Sequence, residues 1–136
     1  MGELGIASGP LCGAVLFVAL AGGRLPCARI DARRRAVALR WLLLGVVASL
    51  EELVWRGLAL GGLRLALGPV AALVLSSAGF AVWHTPELGR RSAVHAVTGL
   101  GFGSAFLVGG IAAAALAHAV YNVLVDWAVH AERSGR

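Results

Sequence analysis

The chain has 136 residues, enough for one domain, and it is 59% hydrophobic but only 14% charged. This composition is too apolar for an ordinary soluble domain. Its net charge of +5 comes from arginines that lie mostly between apolar runs, which indicates membrane topology rather than nucleic-acid binding. Cys12 and Cys27 lack metal-site spacing and are expected to be reduced and structural.

Taken in chain order, the first apolar segment runs from about Pro10 to Gly22. It is short for a span, so it tilts, thins the bilayer or begins before Pro10. Because Glu3 stands where a secretory signal has basic residues, we expect a retained first helix rather than a cleaved signal. A basic loop follows, with Arg24, Arg29, Arg33, Arg34 and Arg35.

The second segment covers about 36–60, and the glycines at 61–62 are expected to loosen its far end. The third covers about 68–84. It begins with Gly68 and Pro69, a pair suited to a turn followed by the first residue of a helix. Thr85–Pro86 then stops this segment.

The fourth segment, about 93–108, is rich in glycine, which lets helices approach closely in lipid. A glycine pair at 109–110 provides the next turn, and the fifth segment runs from about 111 to 130. A span needs ~20 mostly apolar residues, so five spans use nearly the whole chain. Four spans preceded by an interfacial N-terminal helix are the alternative.

The arginines give this bundle an orientation. Of the twelve, Arg64 alone lies opposite the others and Arg56 lies within a span. The positive-inside rule therefore places the N-terminus outside and the C-terminus in the cytoplasm. The prediction is an all-α, polytopic transmembrane helical bundle of about five spans, forming a single domain over 1–136 in the cell membrane.

Ionisable side chains within these apolar segments are the strongest functional signal, because each costs ~3 kcal/mol or more to insert and is rarely kept without a role. Residues four apart share a helix face, so Glu52 can pair with Arg56, and His118 can align with Asn122. Glu51 has no partner in its own helix. Low dielectric disfavours its charged form and a nearby cation favours it, a balance that suits a general base.

Structural explanations compete with this functional one. The Glu52–Arg56 pair equally suits a neutralising ion pair within a bundle, and the His118–Asn122 pair suits hydrogen bonding between helices. His84 alone would more often be a packing residue. Their combination with an unpaired Glu51 favours a site.

Other polar and aromatic residues indicate position rather than chemistry. His95 and His130 are interpreted as interfacial. Asp126 either extends the polar stripe beyond Asn122 or interacts with the basic loops. Three tryptophans fall near the predicted cytoplasmic ends, where aromatic belts form: Trp41, Trp83 and Trp127.

These motifs resemble those of the CPBP family, also called Abi or type II CAAX prenyl endopeptidases. Three family motifs match in order, each on a separate apolar segment: EELVWR at Glu51–Arg56, FAVWH at Phe80–His84 and HAVYN at His118–Asn122. Each motif alone is weak, but the ordered triple is fairly specific and covers about Trp41–Asp126. The resemblance implies an all-helical intramembrane endopeptidase.

The resemblance also implies roles for the matched residues. Glu51 is expected to be the general base that activates a water, and His84 to help hold that water. His118 and Asn122 are expected to stabilise the oxyanion, and the Glu52–Arg56 pair to orient the site. The family has also been described as metal-dependent, so zinc held by Glu51, His84 and His118 is an alternative. Metal-free hydrolysis is favoured slightly because the chain has no HExxH motif.

The expected substrate is a membrane-associated peptide or protein, lipidated or bacteriocin-like. Because a single span precedes the first motif, a homo-oligomer or a partner membrane protein is expected to complete the cavity. Two other functions stay open at this point: a proton or ion relay, and a degenerate family member that acts as a binding or immunity factor.

The predicted turns allow a geometric check. Glu51 and His84 lie at similar distances from the turn near Leu67, so they can meet. At 1.5 Å per residue, His118 lies only ~12 Å along its helix from the turn at 109–110. Glu51 lies ~24 Å along its helix from the turn near Leu67. The fifth helix must therefore start earlier or be displaced along the bundle.

Overall fold

A computed structural model describes residues 3–20 and 34–134, and those residues form helices without any strand. This confirms the predicted all-α class. In chain order the elements are α1 (Glu3–Leu20), α2 (Arg34–Glu52), a π-helix (Leu53–Leu60), α3 (Gly61–Trp83), the short α4 (Thr85–Leu88), a 3-10 turn (Gly89–Ser92) and α5 (Ala93–Ser134).

The chain reverses direction at two glycines inside α3 and α5. Gly68 has φ 76° and Gly110 has φ 73°, a region of backbone space that favours glycine because it lacks Cβ. Arg56 precedes Gly68 by as many residues as Phe80 follows it, and the two side chains are in contact. Both predicted turns are therefore confirmed, and each long element consists of two antiparallel arms.

The helix before Gly68 is longer than the sequence indicated. It continues from α2 through the π-helix and across Gly61, which keeps helical angles of φ −58° and ψ −42°. The expectation that the glycines at 61–62 loosen this end was wrong. A break at this glycine pair would leave backbone N–H and C=O groups without hydrogen bonds, which is costly among apolar side chains.

Small residues hold α1 against α5. Gly5 approaches Gly109, Gly9 approaches the backbone of Ala113, and a Cβ on Gly13 would collide with the carbonyl oxygen of Ala117. This is the close small-residue packing used between helices in membranes. The helix begins well before Pro10, which is one of the options left open by its short apolar run.

The beginning of α2 is joined to the last part of α5. Arg40 forms an ion pair with Asp126, and Trp41 Nε1 donates a hydrogen bond to Asp126 Oδ2 over 3.2 Å. Arg40 also lies 2.9 Å from His130 Nε2, and the Nδ1 of His130 donates to the Asp126 carbonyl oxygen. Asp126 therefore interacts with the basic start of α2 rather than extending the site.

Two helical stretches, Arg35–Trp83 and Thr85–Ala131, are long and apolar enough to cross a membrane, and Gly5–Leu20 is a shorter apolar helix. Large apolar side chains cover the outside, with Leu65 as much as 85% exposed. Such a surface suits lipid contact. Five spans and the orientation of the termini stay predictions. Cys27 and the loop arginines Arg24, Arg29 and Arg33 lie outside the described residues.

Candidate functional site

Glu52 is the buried centre of the polar cluster. Its side chain is 0% exposed, and its Oε1 accepts a hydrogen bond of 2.9 Å from His118 Nδ1. On the other side, Arg56 Nε lies 3.1 Å from Glu52 Oε2, although the N–H is not aligned for a hydrogen bond. The predicted Glu52–Arg56 pair is therefore confirmed as an ion pair, and it also holds an imidazole from α5.

Arg56 is as buried as its partner, at 1% exposed. Its guanidinium carbon lies 4.7 Å from the Phe80 ring centre and 5.7 Å from that of Phe102. Cation–π attraction is strongest in such a desolvated position. One terminal nitrogen also donates to the Gly99 carbonyl oxygen over 3.1 Å. This single side chain therefore joins the π-helix to both α3 and α5.

Glu51 occupies a different environment from its neighbour. Its side chain is 29% exposed, and its Oε2 lies 3.8 Å from His118 Nε2. That separation is too long for a direct hydrogen bond, but one water molecule can contact both atoms. Two adjacent glutamates are thus divided into a buried, paired carboxylate and a partly open one.

The His118 ring has a fixed orientation. It stacks on Phe102 with centroids 4.5 Å apart and meets the edge of Phe80 at 5.9 Å. Because Nδ1 is bonded to Glu52, only Nε2 is directed toward Glu51 and the open part of the site. A carboxylate behind a histidine sets its orientation and which nitrogen carries the proton.

His84 joins the cluster through Phe80. Its Nδ1 donates a 2.8 Å hydrogen bond to the Phe80 carbonyl oxygen, and its ring lies 4.6 Å from the Phe80 ring. When the ring is neutral, this hydrogen bond leaves Nε2 as the acceptor. Within the described part of the chain, no hydrogen bond or ion pair joins His84 to Glu51 or His118.

Asn122 lies one helical turn beyond His118 on α5 and is partly buried. Its amide makes no hydrogen bond with any other residue in the described ranges. A free amide on the same helix face as His118 can donate to a bound group. The structure thus joins Glu52, Arg56 and His118 directly and places Glu51 3.8 Å from His118. His84 reaches the cluster through Phe80, and Asn122 lies one turn beyond His118 on α5.

The helix pair that turns at Gly68 and the helix pair that turns at Gly110 are offset along the bundle. His118 contacts Glu52 although it lies much closer to Gly110 than Glu52 lies to Gly68. The helix pair that turns at Gly110 is therefore displaced along the bundle, which is one of the two options predicted from the sequence.

Two residues that contact the cluster had no predicted role in it. His95 was interpreted as interfacial, but its ring lies 4.1 Å from that of His84 and stacks on Phe80 at 5.6 Å. Phe102 carried no prediction, yet it packs on His118. Both lie on the face of α5 that also carries Thr98 and Gly99, and this helical spacing was the available signal.

The three candidate zinc ligands do not come together as one group. Across residues 3–20 and 34–134, no group of three His, Cys, Asp or Glu side chains is placed to hold a metal ion. Glu51, His84 and His118 therefore do not form a ligand set as they stand. Metal-free hydrolysis stays a prediction, with zinc as its alternative.

Comparison with known proteins gives one match. A family model described as type II CAAX prenyl endopeptidase Rce1-like matches residues 34–124. The match extends from the start of α2 to α5 and includes every motif residue from Glu51 to Asn122. No curated protein and no solved structure matches the chain.

Proposed function

Because this chain belongs to the Rce1-like family of type II CAAX prenyl endopeptidases, we propose that it is a membrane-embedded endopeptidase. Its substrate would be a membrane-associated protein whose C-terminal segment carries a prenylated cysteine. The bond hydrolysed is the peptide bond that follows this cysteine. The observation that supports the proposal best is the partly open Glu51 carboxylate facing the His118 imidazole, which Glu52 fixes from behind.

His118 can act as a hydrogen-bond donor to the substrate. Its Nδ1 is bonded to Glu52, and its Nε2 lies 3.8 Å from the Glu51 carboxylate. In the protonated form of the ring both nitrogens carry hydrogen. The Nε2–H of His118 is then a donor directed into the open part of the site.

The proposed reaction is direct attack by water. Glu51 takes one proton from a water molecule that His84 Nε2 helps hold, and the water oxygen bonds to the carbonyl carbon of the scissile peptide. The Nε2–H of His118 and the amide of Asn122 stabilise the resulting oxyanion. The carbon–nitrogen bond then breaks and Glu51 returns the proton to the leaving amine. The new carboxylic acid gives its remaining proton to this amine, which leaves a carboxylate and a free tripeptide with a protonated amino terminus.

The test is cleavage of a peptide ending in farnesylated Cys-Val-Ile-Met by purified protein in liposomes. We expect the parent and Ser104→Ala, a change at an exposed position, to release the tripeptide. Glu51→Gln and His84→Ala should each lose ~10²–10⁴-fold in kcat, the usual contribution of acid–base groups. The same peptide without the farnesyl group tests the lipid requirement.

An inert parent would contradict the proposal. In that case, proton flux into the same liposomes that is lost in Glu51→Gln would favour a relay. Equal cleavage by the parent and Glu51→Gln would show that another residue activates the water.

A further inference from the structure

Three histidines surround the ring of Phe80. The centroid distances from this ring are 4.6 Å to His84, 5.6 Å to His95 and 5.9 Å to His118. The proposed reaction uses His84 and His118 but gives no role to His95. Yet His95 is the closest aromatic neighbour of His84, with centroids 4.1 Å apart and planes inclined by 60°.

His95 carries a buried nitrogen without a protein partner. Its Nδ1 has no hydrogen bond to any described residue and is closed to solvent. An unsatisfied buried polar atom is destabilising, and native proteins satisfy nearly all of them with protein groups, water or ligands. Packing alone does not explain a histidine here, because a phenyl ring would stack on Phe80 equally well.

The free nitrogen of His84 is the natural counterpart. Its Nδ1 is occupied by the Phe80 carbonyl oxygen, so only Nε2 is available for another contact. Imidazole rings at 4.1 Å between centroids bring their nitrogen-bearing edges within reach of one water molecule. A water held in this way lies on the His84 side of the site.

We infer that His95 is a positioning residue of this site, which packs against the His84 ring and shares a bound water with it through Nδ1. The inference rests on the proposed function. It gives the water that Glu51 activates two imidazole contacts from different parts of the chain, His84 directly after α3 and His95 on α5. Its effect should appear in kcat rather than in KM, because the inferred contact of His95 is with the water and not with the substrate.

Three substitutions separate the nitrogen from the ring. His95→Phe keeps the ring and removes both nitrogens, His95→Asn keeps a polar atom near Nδ1, and His95→Gln keeps one near Nε2. With the farnesylated peptide, we expect His95→Phe and His95→Gln to lower kcat by ~10–100-fold, the usual effect of losing a group that orients a catalytic ligand. KM should be unchanged, and His95→Asn should retain most of the activity.

Two results would overturn the inference. Parental activity in His95→Phe would show that only the ring matters. Equal activity in His95→Asn and His95→Gln would show that the Nδ1 position is not used.

A spectroscopic measurement makes the inference independent of cleavage. In protein labelled with ¹⁵N-histidine, His95→Phe should shift the His84 Nε2 resonance, whereas His95→Asn should leave it near its parental position. If the parent is inert but this pattern holds, the proposed function fails and the shared contact stands. An unchanged His84 resonance in His95→Phe overturns the inference whether or not the parent cleaves.

Discussion

Replacing Glu52 by glutamine keeps the shape of the side chain and removes its charge, and we expect a much larger loss of stability than from the same change at Glu51. Glutamine still offers an oxygen to His118 Nδ1, so the main loss is the charge beside Arg56. Arg56 is 1% exposed and would be left without its counter-ion. Its two aromatic neighbours compensate only in part.

The expected magnitude follows from burial. Removing one partner of a buried ion pair costs about 3–5 kcal/mol, a large share of the 5–15 kcal/mol that typically stabilises a domain. The Glu51 side chain is 29% exposed and its nearest charged partner is 3.8 Å away. Its replacement should therefore change the free energy of unfolding by less than about 1 kcal/mol, although it should abolish cleavage.

Unfolding in mixed micelles with increasing SDS, followed by tryptophan fluorescence, measures the free energy of unfolding of Glu51→Gln and Glu52→Gln under the same conditions. The double variant Glu52→Gln with Arg56→Met removes both members of the pair. Its loss in free energy of unfolding should therefore be smaller than the sum of the losses in Glu52→Gln and in Arg56→Met. Equal loss of stability in Glu51→Gln and Glu52→Gln would refute the division of the two glutamates into a supporting and a working carboxylate.

Three further predictions concern packing, the α2–α5 contact and metal. Gly9→Ala should lower the thermal unfolding midpoint, because its methyl group would collide with the Ala113 backbone. Gly62→Ala should leave the midpoint unchanged or raise it, because nothing lies within 4 Å of the added methyl group. Equal shifts in the two variants would contradict this packing. Asp126→Asn should lower the free energy of unfolding by at most about 1 kcal/mol, because its partner Arg40 is half exposed. A loss above about 2 kcal/mol in chemical unfolding would show that the contact is stronger than a surface ion pair. Dialysis against EDTA should leave cleavage unchanged, and activity lost and then restored by zinc would make the metal-free reaction wrong.

The features predicted correctly from the sequence depend on local rules. Gly68 followed by Pro69 specifies a turn and a helix start, and the glycine pair at 109–110 allows the second reversal. The i, i+4 spacing of Glu52 and Arg56 was sufficient to predict their ion pair, because both lie on one face of one helix.

The features that were missed depend on how helices rotate against one another. The helical spacing of His95 and Phe102 places them on one face of α5, but it does not indicate what this face packs against, so the contact of His95 with His84 required the packed bundle. No local pattern predicted the π-helix at Leu53–Leu60, a type of irregular turn that often occurs at functional sites. The glycine contacts of α1 required knowledge of its partner helix.

The most direct test of the central claim is a single turnover of the farnesylated peptide in H₂¹⁸O, with mass spectrometry of both the product and the enzyme peptide that contains Glu51. If Glu51 activates water directly, one ¹⁸O atom enters the new carboxylate of the prenylated cysteine and none enters Glu51. Label in the Glu51 carboxylate with an unlabelled product would contradict the account, because it would show that Glu51 attacks the substrate itself.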